Sequence, residues 1–260
     1  LNSRLVHDWE HLLGRRLRRR QKASTQSGRR HHRFANLVCA HPPTVVTTIG
    51  EDAPMTGPAV NSTAQAKAEA RARIRAMRQA LPSAARANDA KAMAAVLAAA
   101  NLPIATTTIA VFRSLPTEPD TGPIIERCQQ RDCRILLPAV RGTHLDWTVL
   151  PAEAAEFTTG VLGISELLGE PIGRDAQPLM DCSLVLVPCL AVDARGRRLG
   201  QGGGYYDRIL STLPAPQDGG PLLIAVCFPN ECGIDIPVEE HDAPVHACLT
   251  SAGLRWFTNP

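Results

Sequence analysis

The sequence predicts an α/β fold: an open, mostly parallel sheet with helices on both faces, a Rossmann-like three-layer arrangement, preceded by a disordered N-terminal arm. Three observations carry this expectation. Short, continuously apolar runs such as Leu184 to Leu190 (LVLVPCL) and Arg134 to Pro138 (RILLP) have the length and composition of strands buried on both faces. Helical patterns alternate with the strands, as the crossovers of a parallel sheet require. One strand also runs into a glycine-rich loop and then a helical pattern (DARGRRLGQGGGYYDRIL, 193–210), at the strand end where open sheets take their ligands.

The 260 residues can bury one substantial core with an appendage, and the appendage is the N-terminal arm, 1–64, ahead of an α/β domain at 65–260. Residues 1–60 hold 10 Lys/Arg against 4 Asp/Glu, a net +6, which leaves 18 against 21 and a net −3 for the rest. The arm is therefore the sole source of the overall +3, and the body gives no reason to expect nucleic acid. Rich in Arg early and in Thr, Pro, Gly and Ser later, the arm offers little to offset the entropy of ordering. A basic contact arm, a targeting segment and translated sequence upstream of a start at Met55 compete here, and the last is preferred. The His31–His32 pair reads as solvated. Eight cysteines contain no C-x-x-C, and no apolar run approaches a membrane span, so reduced thiols in a cytoplasmic protein are expected.

Gln65 to Leu81 is built of strong helix formers, with Ile74, Met77 and Leu81 as its apolar stripe and Pro82 as its stop. Ser83 is expected to cap a second helix running to Ala100, with Met93, Val96 and Leu97 inward. Arg73, Arg75 and Arg78 read as a solvated basic face. Lys67 and Arg71, spaced i, i+4, share one face and by themselves read as surface residues. Thr106 to Phe112 is a β-branched strand; Pro116 and Pro119 force an extended turn, and a helix follows from Thr121 to about Arg131. Glu118 lies in that turn, just beyond a strand end. Leu145 to Leu150 alternates as an edge strand would, with Trp147 packing, and Leu222 to Phe228 (LLIAVCF) is the last strand.

In the loop, Gly200, Gly202, Gly203 and Gly204 lie within five residues, flanked by Arg197 and Arg198 before and Tyr205, Tyr206, Asp207 and Arg208 after. Backbone N–H groups without Cβ obstruction can approach an anion, Arg supplies planar donors to phosphate, and Asp can hold a nucleotide's magnesium. A plain tight turn accounts for the same glycines. The loop is neither G-x-x-x-x-G-K-[ST] nor G-x-G-x-x-G, whose third glycine, counted from Gly200, falls on Tyr205. The residues alone reach an α/β binder of an anion or nucleotide.

The run R-x-L-G-x-G-G-G-Y-Y-D-R from Arg197 to Arg208, preceded by V-P-x-L-A-x-D from Val187 to Asp193, resembles the signature of the 5-formyltetrahydrofolate cyclo-ligase family. The K-x-x-x-R pair Lys67/Arg71, the P-x-E-x-D-T context of Glu118 and the G-x-x-G-I-x-E segment from Gly160 to Glu166 extend the resemblance from about Lys67 onward. It implies ATP-dependent ring closure of 5-formyltetrahydrofolate to 5,10-methenyltetrahydrofolate, with Mg2+ accompanying ATP as co-substrate. Carried over by position, Lys67, Arg71, Arg198, Gly200, Gln201, Gly202, Gly203, Gly204 and Tyr205 hold ATP, and Arg198 and Gln201 act in catalysis. Arg113, Glu118, Gly203 and Tyr205 contact the folate, the Gly160–Glu166 loop lines its pocket, and Asp207 and Asp242 hold magnesium. The resemblance implies small-molecule partners only, a monomer, no nucleic acid and no membrane.

The chain departs from the family pattern at Ala70 (usually Leu), Arg113 (usually apolar), Gln201 (often cationic or larger), Leu167 (usually Pro) and His246 (usually Asp). Neutral imidazole suits magnesium poorly, so His246 is not assigned to it. Two other readings stay open: a non-catalytic folate-binding protein with a decayed phosphate site, and another enzyme on a related sheet, such as a sugar-phosphate isomerase or CoA-transferase-like protein.

Overall fold

A computed structural model of the chain describes residues 62–257, except 101, 103–107, 154, 161–162 and 241. Residues 1–61 of the N-terminal arm, Met55 and the His31–His32 pair among them, lie outside the described residues. Helix α1 (Thr63–Ala80) starts where the Ser62 hydroxyl accepts the Gln65 N–H at 3.3 Å, and it ends ahead of Pro82. Its buried residues are Lys67, Ala70, Ile74 and Arg78, whereas Met77 is 46% exposed. The expected stripe through Met77 is thus displaced, and Arg78 leaves the solvated face assigned to it for full burial. Positions 67, 70, 74 and 78 form one i, i+3/i+4 row, and that row continues inward through an arginine because Glu231 waits there to neutralise it. Helix α2 (Ser83–Ala99) takes Pro82, not Ser83, at its N-cap position, and turns Met93 and Leu97 inward.

The strands follow as β1 (Thr108–Ala110), then, after helix α3 (Gly122–Gln129), β2 (Arg134–Arg141), β3 (His144–Val149), β4 (Phe157–Thr159), β5 (Ser165–Leu167), β6 (Gly173–Arg174) and β7 (Leu184–Pro188). Strands β8 (Ala191–Val192) and β9 (Arg198–Leu199) precede helix α4 (Tyr205–Leu210), and β10 (Leu222–Val226), β11 (Ala247–Thr250) and β12 (Gly253–Trp256) complete the order. The main sheet runs β12-β11-β10-β7-β1-β2-β3-β6. From β11 to β2 its neighbours are parallel, and the antiparallel pairs lie at the margins: β12 on β11 at one side, β3 on β2 and β6 on β3 at the other. All residues of β10 and the first four of β7 are buried, so side chains pointing to both faces are covered, as a parallel core demands.

Leaving β1, the chain crosses through α3 to β2 on one side, while β7 lies on the other. The crevice between β1 and β7 is therefore the switch point at which an open sheet takes a ligand. Three details differ from expectation. Strand β3 is not an edge, because the two residues of β6 pair with Asp146 and Trp147. The Leu222–Phe228 run ends at Val226 and is followed by β11 and β12. Between β7 and the glycine loop the chain inserts a short ribbon, β8 paired with β9 through Ala191↔Leu199 and Val192↔Arg198. The ribbon's residues are too few for any periodicity to announce them. No described helix is long and apolar enough to cross a membrane.

Candidate active site

The ribbon sets where the loop begins. Its β9 strand ends at Leu199, so Arg198 enters the site from a paired, buried backbone and is only 3% exposed. Its Nη2 donates to Asp207 Oδ1 at 2.7 Å, while Nε, also buried, has no hydrogen-bond partner. Between them the chain must turn tightly: Gly202 has φ +107° and Gly204 φ +64°, left-handed values that glycine adopts freely. At Gly203 the constraint is space, since a Cβ would come within 2.7 Å of the Tyr205 ring.

Three sets of contacts fix the loop's flanks. From α1, Arg71 Nε donates to the Gly200 carbonyl at 3.0 Å, and Arg75 Nη2 donates to Gln201 O and Oε1, both at 2.9 Å. From α4, Tyr205 OH donates to Gly142 O at 3.0 Å and Arg208 Nη2 to Thr143 O at 2.9 Å, tying the loop to the β2–β3 turn. At the tip, Gln201 Nε2 donates to Glu118 Oε1 at 3.0 Å, and Glu118 Oε2 accepts the Leu115 N–H at 3.0 Å. Glu118, 7% exposed, thus joins the turn after β1 to the glycine loop.

Several of these groups, Arg75, Leu115, Glu118, Gln201 and Tyr205 among them, border a cavity of about 420 Å³, in the size range of small-molecule sites. Its floor is apolar, with Phe112 from the β1 end, Pro138 and Val140 from β2, Leu145 from β3 and Pro188 closing β7. Polar groups gather at the loop: Arg198, Asp207, Glu118 and the buried Tyr206 hydroxyl, which has no partner and whose pKa is raised by burial. Arg113 lies over the Phe157 ring at 4.1 Å on the cavity wall. In the Gly160–Glu166 segment, Ile164 and Glu166 line the cavity; Glu166 also accepts the Val140 N–H at 2.9 Å and pairs with Arg141, bracing the floor.

Of the residues singled out in the sequence, Arg113, Glu118, Arg198, Gly200, Gln201, Gly203, Gly204, Tyr205 and Asp207 border this one cavity. Lys67, Arg71, Gly202 and Asp242 do not line it. Arg71 stands behind Gly200 and Gly202, one helical turn after Lys67. Lys67 Nζ donates to both oxygens of Asp242, at 2.9 and 2.6 Å, and to Glu239 Oε2 at 2.7 Å. Burial alone would depress the lysine's pKa, but the two carboxylates outweigh it and raise the value, so Lys67 stays charged. No three His, Cys, Asp or Glu side chains among the described residues group as a metal site. Asp207 offers a hard oxygen donor at the cavity and fits a divalent cation arriving with a nucleotide. Asp242, with both oxygens on Lys67 and the Glu239 N–H on Oδ2 at 2.8 Å, does not fit as its partner in this arrangement. Sequence reasoning missed Arg75 and Tyr206. Arg75 stands four residues after Arg71 and could have been found by continuing that spacing, whereas nothing in the sequence separates Tyr206 from a core tyrosine.

A sequence profile described as the 5-formyltetrahydrofolate cyclo-ligase family matches residues 63–251. The 5-formyltetrahydrofolate cyclo-ligase of Mycolicibacterium smegmatis is 31% identical over 176 residues, covering 66% of this chain and 87% of that protein. That of Escherichia coli is 33% identical over 149 residues, 55% of this chain and 77% of its own. Among solved structures, the 5,10-methenyltetrahydrofolate synthetase of Aquifex aeolicus superposes with a TM-score of 0.60 at 24% identity, over 75% of this chain and 94% of that one. The synthetase from Mycoplasma pneumoniae gives 0.54 at 18%, over 71% and 98%. The two superpositions speak for the fold and the profile for descent: the chain belongs to the 5-formyltetrahydrofolate cyclo-ligase family.

Proposed function

We propose that the chain closes the ring of 5-formyltetrahydrofolate to give 5,10-methenyltetrahydrofolate, with ATP converted to ADP and phosphate, and that the cavity at the β1–β7 switch point is where it does so. The observation that carries the assignment of the site is Arg198: a buried guanidinium at the glycine loop with an unmatched Nε. Buried donors are normally satisfied, so an orphaned one beside a cavity marks a place for an acceptor. The cavity's division supports the rest. An apolar floor suits a pterin, and a cationic, glycine-lined end suits phosphates.

The chemistry asks for both halves. A formamide carbon is a poor electrophile, and hydroxide is a poor leaving group. Transfer of the terminal phosphoryl group to the formyl oxygen, with ADP leaving, provides phosphate as a better leaving group. N10 then attacks the formyl carbon and gives up its proton, the C–O bond to phosphate breaks so that inorganic phosphate leaves with that oxygen, and the new ring carries the cationic methenyl bridge. Such transfer needs positioning and charge neutralisation more than covalent help. In this reading Arg198 and the Gly200–Tyr205 backbone hold the triphosphate, with Gln201 at the tip. Arg71 supports the loop from behind through the Gly200 carbonyl, and Lys67 anchors the start of α1 against Asp242 and joins the phosphate site if Asp242 releases it. Glu118 orients the pterin by accepting its N–H groups, and Arg113 and Tyr205 flank it. Asp207 would hold the magnesium ion, which when bound supplies positive charge against the transferring phosphoryl group. The same reading has the protein acting as a cytoplasmic monomer on small molecules, without nucleic acid.

The test is absorbance in the methenyl-folate band after mixing the full chain with 5-formyltetrahydrofolate, magnesium and ATP. Growth that depends on ATP is expected. Folate binding without any ATP-dependent growth would overturn the proposal in favour of a binding protein with a decayed phosphate site.

A further inference from the structure

Outside the cavity, four cysteines meet at the carboxyl end of the sheet. Cys189 follows β7, Cys227 follows β10 and Cys248 lies in β11; the registers Val187↔Ala225 and Ala225↔Cys248 put all three on the same face. The sulfurs of Cys227 and Cys248 are 3.2 Å apart, and both residues are wholly buried. Cys232, at the end of the turn Pro229–Glu231, is half-buried and packs against the buried cluster that contains Cys189, Cys227 and Cys248. The Arg255 guanidinium packs over the next residue, Gly233, so close that a Cβ there would collide with it. All of these cysteines are free thiols, and no metal-site geometry exists among the described residues.

We propose that Cys232 is a site of oxidation by hydroperoxides, resolved to a disulfide by the buried Cys227–Cys248 thiol pair behind it. The arrangement supplies each requirement: one cysteine that is not fully buried, a cation near it, and two thiols behind it from which a proton and a bond can come. With Cys227 and Cys248 packed against it and Arg255 nearby, the Cys232 thiol is held well below the usual cysteine range, while Cys227 and Cys248 are held above it. The Cys232 thiolate attacks one oxygen of the hydroperoxide. The O–O bond breaks, the departing alkoxide or hydroxide takes a proton, and Cys232 becomes a sulfenic acid. The sulfur of Cys227 or Cys248 then attacks Cys232, the S–O bond breaks, and its oxygen leaves as water with the attacking thiol's proton. Two thiols have been oxidised and one peroxide bond reduced. A second pair, Cys128 and Cys133, provides the contrast: burial pushes the Cys128 thiol up to about 12, so it has no ready thiolate.

The location gives the oxidation a consequence. Cys232 bridges Val192, and Val192 pairs with Arg198 across the β8–β9 ribbon. Glu231, the residue before Cys232, holds Arg78 of α1. Drawing the Cys232 sulfur inward therefore pulls on the strand that delivers Arg198 and on the helix that braces the loop, and turnover should fall.

The experiment exposes the full chain to hydrogen peroxide and maps its peptides without reduction. The expected result is a cross-link from Cys232 to Cys227 or Cys248, with loss of two hydrogens and with Cys128 and Cys133 still reduced. In a Cys227→Ala/Cys248→Ala double variant, Cys232 should be trapped by dimedone as the sulfenic acid. Unmodified Cys232 in the wild-type chain, or a cross-link confined to Cys128–Cys133, overturns the proposal without requiring any variant to fold. Peroxide should also lower turnover, a dithiol should restore it, and Cys232→Ser should be resistant; a cross-link that leaves turnover unchanged overturns the regulatory part. The peptide map stands apart from the folate reading, so failure of that reading and failure of this one are distinguishable.

Discussion

Two buried arginine–carboxylate pairs, Arg78–Glu231 and Arg198–Asp207, share their chemistry and differ in their surroundings. Arg78 meets Glu231 through two parallel hydrogen bonds of 2.8 Å, donates to the Cys189 carbonyl at 2.8 Å and stacks over Phe228. The Glu231 side chain is 3% exposed and also accepts the Phe228 N–H at 2.9 Å. Arg198 meets Asp207 through one bond, and the Asp207 side chain is 21% exposed toward the cavity. Each arginine has one fully buried nitrogen without a hydrogen-bond partner, but only that of Arg198 belongs to a residue lining open space. Burial and pairing alone therefore do not mark a functional charge. What distinguishes Arg198 is that its partner is incomplete and faces a space a ligand can fill.

Arg78→Met should give the largest effect, because it strands the Glu231 carboxylate in the core. Urea unfolding is expected to show a loss of about 3–5 kcal/mol, and a loss under about 1 kcal/mol would place the pair with ordinary surface bridges. Arg198→Ala should reverse the emphasis. Turnover with ATP should fall on the order of 10²–10³-fold, as when a preorganised donor to a developing charge is removed. The unfolding midpoint should move less than for Arg78→Met; if the variant instead unfolds while residual turnover per folded molecule is normal, the distinction fails.

His246 extends the comparison to a half-buried group kept neutral. Burial lowers its pKa to about 4, and Nδ1 accepts the Leu223 N–H at 2.9 Å. The unfolded chain takes the proton first, near pH 6.5, so stability is complete above that pH and is lost as pH falls toward about 4. The loss should reach roughly 3 kcal/mol, and His246→Gln should flatten the profile. The smallest effect belongs to Gln201, whose exposed side chain is tethered rather than buried. Gln201→Ala should cost under about 0.5 kcal/mol in unfolding. Gln201→Arg should raise turnover or leave it unchanged, since a cation at the loop tip adds positive charge at the phosphate end; a steep drop in a rate assay would instead give the amide a specific role.

The sequence carries the central strands well, because runs such as LVLVP and LLIAV are apolar on both faces and need no partner to be recognised. It carries the glycine loop through spacing, and the family through the loop's flanks. It does not carry elements defined by pairing rather than composition: β6, β8 and β9 have two residues each. Nor does it show that Arg78 is buried and Met77 exposed, because helix periodicity names a row and only tertiary charge complementarity tells which row turns inward. Asp242 teaches the same lesson. Motif position pairs it with Asp207, whereas in three dimensions its nearest cation is a lysine 175 positions earlier in the chain.

The hydrogen bond between Gln201 and Glu118 makes the two halves of the cavity share a single latch. Under the proposed function, a pterin that engages Glu118 Oε1 must take the place of the Gln201 amide, and the freed amide then faces the phosphate end. Occupancy of one half thereby alters the entry of the other, and the two substrates should load in a preferred sequence. Calorimetric titration of each ligand with and without the other would read this as an affinity for ATP that rises once folate is seated, and by thermodynamic reciprocity as the converse to the same degree.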